Sequence, residues 1–299
     1  MLSLEALPAL EAAVLMVALG VASYLDWRVR EVPDGLWILL TLVGGILLEL
    51  GAWGDSPLVL SLNLIAVLFV LEHFLPWEDT LGDHSWAILG VEVAFYAAVL
   101  GTSAYAYLVL LPGVFLPFYE IVGMVVLARV LFEVGALYGG ADAKALMAAA
   151  VVLPVLSSPF LVGYPLPAQG SVLALLPFAF TMLINGGILT LVVPIVLLAV
   201  NLRRGERSFP RILHMVRIPT EELPRRFVWL RDPPLESASR DDSTEEDQAL
   251  RIRQAVKLRA MGVERVWVTP QLPFLISLTA GALVGLLMGN LLIWVLAIG

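Results

Sequence analysis

The chain has no cysteine in its 299 residues. That absence removes disulfides, thiolate nucleophiles and cysteine-ligated zinc or iron–sulfur centres together. Charge is scarce too: 15% of residues are charged and 60% hydrophobic, with a mean hydropathy of +0.90. A soluble domain carries about 25% charged residues, so this composition excludes an ordinary one. Also missing are the alternating pattern of a transmembrane barrel, an internal repeat, and the H-E-x-x-H pair of a zinc protease. No Lys or Arg precedes the first apolar run, MLSLEALPALEAAVLM. The positive start of a cleavable signal peptide is therefore absent, and the run is expected to stay as a span.

What is present is a series of apolar runs, several near or above the ~20 residues a spanning helix needs. They lie at about 8–25, 36–52, 57–74, 87–110, 119–139, 142–157, 172–200 and 273–298. The expected fold class is an all-α polytopic membrane protein with about eight transmembrane helices and a small cytoplasmic insertion before the last. The number falls to six or seven if the short sixth run, or the long seventh with Gly186, Gly187 and Pro194 inside it, is bent or re-entrant. Three domains follow: a transmembrane catalytic part at 1–201, a soluble cytoplasmic segment at 202–270, and a C-terminal span at 271–299.

Fourteen of the 18 Lys and Arg lie between Leu202 and Pro270; the others are Arg28, Arg30, Arg129 and Lys144. The positive-inside rule places basic loops in the cytoplasm. Eight crossings then put residues 26–35, the junction Gly139–Asp142 and 202–270 all inside. Within the soluble segment, PPLESASRDDSTEEDQ has the composition of a flexible linker, and 233–248 is its expected mobile part. ALRIRQAVKLRAMG predicts a short helix ended by Gly262, and VERVWV a strand.

Two carboxylates stand out against this background. Asp26 closes an apolar run in SYLDWRVREVP, and Asp142 opens one in ALYGGADAKALMAAAV. Each has a plain reading: an interfacial acid is solvated, and Asp142 after Gly-Gly stands where a helix N-cap stands. As a pair they share one membrane depth, one ending a helix and one beginning it, so packed helices would let them converge. Two carboxylates in one site cannot both ionise easily. The ionised one can deprotonate water while the protonated one polarises a peptide carbonyl, chemistry that needs no metal and no thiol.

These residues resemble the archaeal prepilin and preflagellin peptidases, relatives of the bacterial type IV prepilin peptidases and members of the GxGD membrane aspartic proteases. Three stretches carry the resemblance: DWRVREVPDG from Asp26, GGADAKAL from Gly139, and the tail VWVTPQLPFLISLTAGALVGLLMGNLL. The second motif has Ala141 where the family has a second glycine. The resemblance implies that Asp26 and Asp142 are catalytic and that Gly139, Gly140, Ala141 and Lys144 support them. It implies no cofactor and no metal. The implied substrates are pilin-like or archaellin precursors, whose short basic leaders are removed at the cytoplasmic face of the cell membrane. Lipids are expected partners and nucleic acid is not. A proton- or cation-coupled transporter with paired carboxylates is the alternative.

Other polar residues have quieter expectations. Arg129 and Glu133 predict a buried ion pair, shared with Glu92. Lys144 can either face Asp142 or reach lipid phosphates. Arg28 and Arg30 read as topology anchors. His73 and His84 fall in LEHFLPWEDTLGDHSW, read as a solvated loop without a metal-ligand spacing. Asn63 and Asn185 predict hydrogen bonds between helices.

Overall fold

The structure, a computed structural model, describes residues 6–74, 85–109, 116–137, 139–156, 160, 176–232 and 244–298. The apolar runs form helices α1 (Leu7–Val29), α2 (Asp34–Gly51), α3 (Pro57–Glu72), α4 (Ser85–Val109), α5 (Leu116–Glu133), α6 (Gly140–Val152), α7 (Phe178–Thr190) and α8 (Val192–Arg203). Helix α9 (Thr244–Ala260) is polar, and α10 (Phe274–Met288) and α11 (Leu291–Ile298) are apolar. Three strands, β1 (Val216–Pro219), β2 (Val228–Asp232) and β3 (Arg265–Pro270), form one sheet. The fold is thus dominated by helices, as expected, with an added sheet in the insertion.

Among the described residues, three helices are long and apolar enough to cross a membrane: Leu7–Val29, Asp34–Gly51 and the stretch Phe178–Arg203. Their outward faces carry large apolar side chains, among them Val17, Leu39, Ile46 and Ile195. Water would penalise such faces, whereas hydrocarbon does not. The run at 172–200 carries only an irregular turn at Leu191, whose φ of −63° and ψ of −15° remain helical, between Gly186–Gly187 and Pro194. The last expected span breaks after Met288, where Gly289 takes a positive φ of 84°.

The chain divides into two compact units. The first comprises Met1–Arg28, Val32–Gly187 and Leu275–Gly299. Its centre is α6, buried along almost its whole length and packed against α2, α3 and α5. Glycine sets the closeness of α2 and α6. A Cβ added at Gly44 would lie 2.9 Å from the Cα of Val152, so a methyl group has no room there. A second seam joins α7 to α10. A Cβ at Gly281 would come 2.6 Å from the Met182 carbonyl, and Asn185 donates to the Gly281 and Gly289 carbonyls at 3.2 and 3.0 Å. Asn185 also accepts from the Leu291 N–H at 2.8 Å, which fastens α11 across the break. Asn185 is therefore the helix-joining residue its position predicts. Asn63 is buried. Helix α1 is tied to α10 through Ser23, which donates to the Leu275 carbonyl at 3.1 Å and meets the Thr279 hydroxyl at 2.7 Å.

The second unit comprises Val29–Glu31 and Ile188–Phe274. The antiparallel order is β1–β3–β2, with Val216 opposite Val268, Ile218 opposite Val266 and Leu230 opposite Val268. Strand alternation sends Val266 and Val268 to one face, where Ile218, Leu230 and Leu258 of α9 complete a core. Trp267 points to the other face and packs with Ile212 and Met215. Asn201, at the end of α8, donates to the Ile212 and Met215 carbonyls at 3.0 and 2.7 Å. The expected helix and strand are α9 and β3, and Gly262, with φ +73°, follows α9 as expected. The linker reading extended to 248, but α9 already begins at Thr244; residues 233–243 lie outside the described set.

Candidate active site

The two aspartates reach a common level by the way three helices run. A Cβ added at Gly51, the last residue of α2, would lie 3.1 Å from Leu7 at the start of α1. Helices α1 and α2 are therefore antiparallel. Asp26 stands 19 residues along α1 from Leu7, and Asp34 stands 17 before Gly51 on α2. At ~1.5 Å per residue these travel similar distances, so Asp26 and Asp34 share one end of the hairpin. Helices α2 and α6 run side by side in the same direction: Lys144 meets Asp34 at their starts, and Val152 meets Gly44 about ten residues further on. Asp142, in the first turn of α6, thus lies at the same end as Asp26.

The two carboxylates interact electrostatically. Their surroundings differ. Asp142 is 7% exposed and Asp26 half-buried near the end of α1. The cap of α6 is Gly139 rather than Asp142, which corrects the N-cap reading. Asp142 is the third helical residue, and its carboxylate turns back to accept from the Gly139 backbone N–H. That is the reach-back half of a capping box, made here by an aspartate.

This geometry explains one glycine and relieves two other positions of the need for one. Gly139 is extended, at φ −96° and ψ 129°, a conformation open to any residue. Its glycine is required for space, because a Cβ there would stand 2.8 Å from Asp142 Oδ2. At Gly140 a Cβ would meet only Phe132 at 3.7 Å, an ordinary contact. Ala141 lies within α6 and is not among the residues of positive φ, so alanine fits the turn as it is built here.

Lys144 has a partner that neither expectation named. Its ammonium pairs with Asp34 at 2.5 Å. Asp34 is the first residue of α2 and belongs to the VPDG end of the first motif. The pairing has a physical logic. A lysine near the start of a helix is disfavoured by the positive end of the macrodipole, and a carboxylate at a second helix start offsets it. Asp34 is the residue sequence reasoning missed. The available signal was its place at a helix start, directly after Val-Pro and within a motif already singled out.

Other expectations need correction. Arg30 is not a free anchor: it donates to the Gln271 carbonyl and lies over the Phe227 ring at 5.1 Å, within the second unit. Arg28 lies over the Tyr24 ring at 5.8 Å. Arg129 and Glu133 pair at 3.0 Å, but both side chains are more than half exposed, so the pair is not buried. The Glu92 side chain and His84 fall outside the described residues. His73 is buried at the end of α3 rather than solvated. Its Nδ1 lies 2.8 Å from the Phe69 carbonyl and must donate, leaving Nε2 to accept from the Tyr96 hydroxyl at 2.7 Å. Among the described residues no group of three His, Cys, Asp or Glu is placed to hold a metal ion.

No protein-family model matches the chain, and no curated protein matches it either.

Proposed function

We propose that the protein is a polytopic membrane aspartic endopeptidase that removes the short basic leader of pilin-like or archaellin precursors at the cytoplasmic face. The observation that supports this reading is that Asp26 and Asp142, drawn from two motifs more than a hundred residues apart, stand at the same end of α1, α2 and α6. In the proposed reaction one carboxylate takes a proton from water as the oxygen bonds to the scissile carbonyl carbon. The other, protonated, donates to the carbonyl oxygen. Collapse of the tetrahedral intermediate breaks the C–N bond, and the amine leaves with a proton from the dyad. The pair titrates as a unit, so the expected rate profile is bell-shaped. About eight spans, with 202–270 in the cytoplasm, complete the proposal.

The test is cleavage of a precursor peptide by purified protein in detergent, read by mass spectrometry. Wild type should cut once, before the apolar helix of the precursor. Asp26→Asn and Asp142→Asn should each lose at least about a thousandfold in rate while inserting and melting normally. Near wild-type cleavage by either variant would exclude the dyad.

A second reading, a proton- or cation-coupled transporter, has one observation in its favour. Glu120 on α5 is buried, and among the described residues neither of its carboxylate oxygens has a hydrogen-bond partner. Intramembrane acids of this kind mark ion paths. Gradient-dependent transport by reconstituted protein, abolished in Glu120→Gln with no cleavage in detergent, would favour it.

A further inference from the structure

We propose that the groove between α2 and α3, at the end remote from the aspartates, binds a lipid whose headgroup carries an ammonium group. The groove has an open volume of about 330 Å³. Leu42, Ile46, Leu64 and Val67 make its walls, and Gly45 marks where the helices close, since a Cβ there would lie 3.1 Å from Val67. One helical turn beyond Gly45, about 5.4 Å, Glu49 lines the groove, and Trp53, just past the end of α2, lines it too. The order along the groove is apolar wall, Glu49, Trp53. Trp53 is 82% exposed.

The carboxylate selects the occupant. Among the described residues none hydrogen-bonds or ion-pairs with Glu49. In the sequence no Lys or Arg occurs between Arg30 and Arg129. A carboxylate on an apolar, membrane-facing groove is costly without a counter-charge. An acyl chain fits the wall, an anionic headgroup would be repelled, and an ammonium group satisfies both Glu49 and the Trp53 ring face. Indole rings sit at headgroup level in membranes, which places the charge where a headgroup lies. An aminophospholipid combines these features. The inference is independent of the peptidase reading.

The full chain is reconstituted in nanodiscs holding equal phosphatidylethanolamine and phosphatidylglycerol, then extracted, and the co-purifying lipid is measured by mass spectrometry. Wild type should retain phosphatidylethanolamine roughly threefold over phosphatidylglycerol, the scale of an interfacial charge pair with a cation–π contact. Glu49→Gln and Trp53→Leu should each bring the ratio close to one without shifting the melting temperature. Trp53 lies past the end of α2, so its variant keeps the test decisive should Glu49→Gln misfold. Leu64→Trp, which fills the groove, should reduce both lipids. An equal ratio in wild type, or a preference unchanged in Glu49→Gln or Trp53→Leu, overturns the proposal. So does a Glu49-dependent dimer that retains neither lipid.

Discussion

Asp142 and Asp26 sit in unlike surroundings. Asp142 belongs to a helix in which ten of thirteen residues are buried, its carboxylate is held by the Gly139 N–H, and the lysine beside it is anchored on Asp34. Asp26 belongs to a helix end that is mostly exposed: Tyr24, Trp27 and Val29 are all open, and Arg30 follows at φ +63°, uncommon outside glycine. One half of the proposed dyad is thus fixed by packing and the other stands in an accessible rim. A protease needs both: a carboxylate in defined geometry and a side from which a peptide can enter. Changes around Asp142 should therefore act through geometry, and the way to sharpen the comparison is to move that carboxylate by small, known amounts.

The largest such effect is expected at Gly139. Gly139→Ala keeps an allowed backbone but brings a Cβ to 2.8 Å from Asp142 Oδ2, so the carboxylate must shift. A displacement approaching 1 Å at a reacting group costs about a hundredfold. Gly140→Ala, whose Cβ meets Phe132 at 3.7 Å, should retain activity within a factor of about two and gain slightly in helix propensity. Peptide cleavage by the two variants, side by side, measures the contrast. Equal loss in both would mean the turn needs glycine for its backbone, and the steric account of the motif would fail.

Packing beneath the dyad gives the next effect. Gly44→Ala places a Cβ 2.7 Å from Val152 Cγ2 and 2.9 Å from its Cα, where only backbone movement makes room. Overpacking costs ~1–3 kcal/mol, and the helix-propensity gain of alanine over glycine returns ~1 kcal/mol. The balance is a net loss, read as a lower melting temperature in detergent, with α6 displaced and cleavage reduced more modestly than in Gly139→Ala. An unchanged melting temperature would show that α2 and α6 part easily.

Much of the helical plan was legible because a run of apolar residues long enough to cross a membrane has few other uses. The two aspartates were legible because a charge beside such runs is costly. What the sequence hid is long-range. The interruption after Met288 went unseen because GALVGLLMGNLL reads as one apolar run, and Gly289 declares itself only through the Asn185 bonds that satisfy the freed backbone. Strands β1 and β2 are four and five residues long, and their apolar faces make sense only against β3, about forty to fifty residues away. His73 looked like loop because its partner Tyr96 comes from another helix. The Lys144–Asp34 pair spans 110 positions, and periodicity carries no information at that range.

That pair supplies the smallest expected effect and links the two motifs most directly. Asp34 and Lys144 tie the start of α2 to the start of α6, and both are partly exposed, with side chains 49% and 27% accessible. An ion pair so placed contributes ~0.2–1 kcal/mol, so neither Asp34→Asn nor Lys144→Met should unfold the protein. Their role lies in position: Lys144 is two residues from Asp142, and without Asp34 it is free to swing toward that carboxylate. Asp34→Asn should therefore move the acidic limb of the rate profile, since a newly adjacent ammonium favours the charged form of the dyad, while Lys144→Met should not introduce that cation at all. The double variant Asp34→Asn, Lys144→Met should then resemble Lys144→Met alone in its pH profile, a non-additivity confined to residues in contact. Peptide cleavage measured across pH for the three variants decides the matter. Strictly additive effects, or a profile identical in Asp34→Asn and wild type, would reduce the pair to an ordinary surface contact and leave Gly139 alone in holding Asp142.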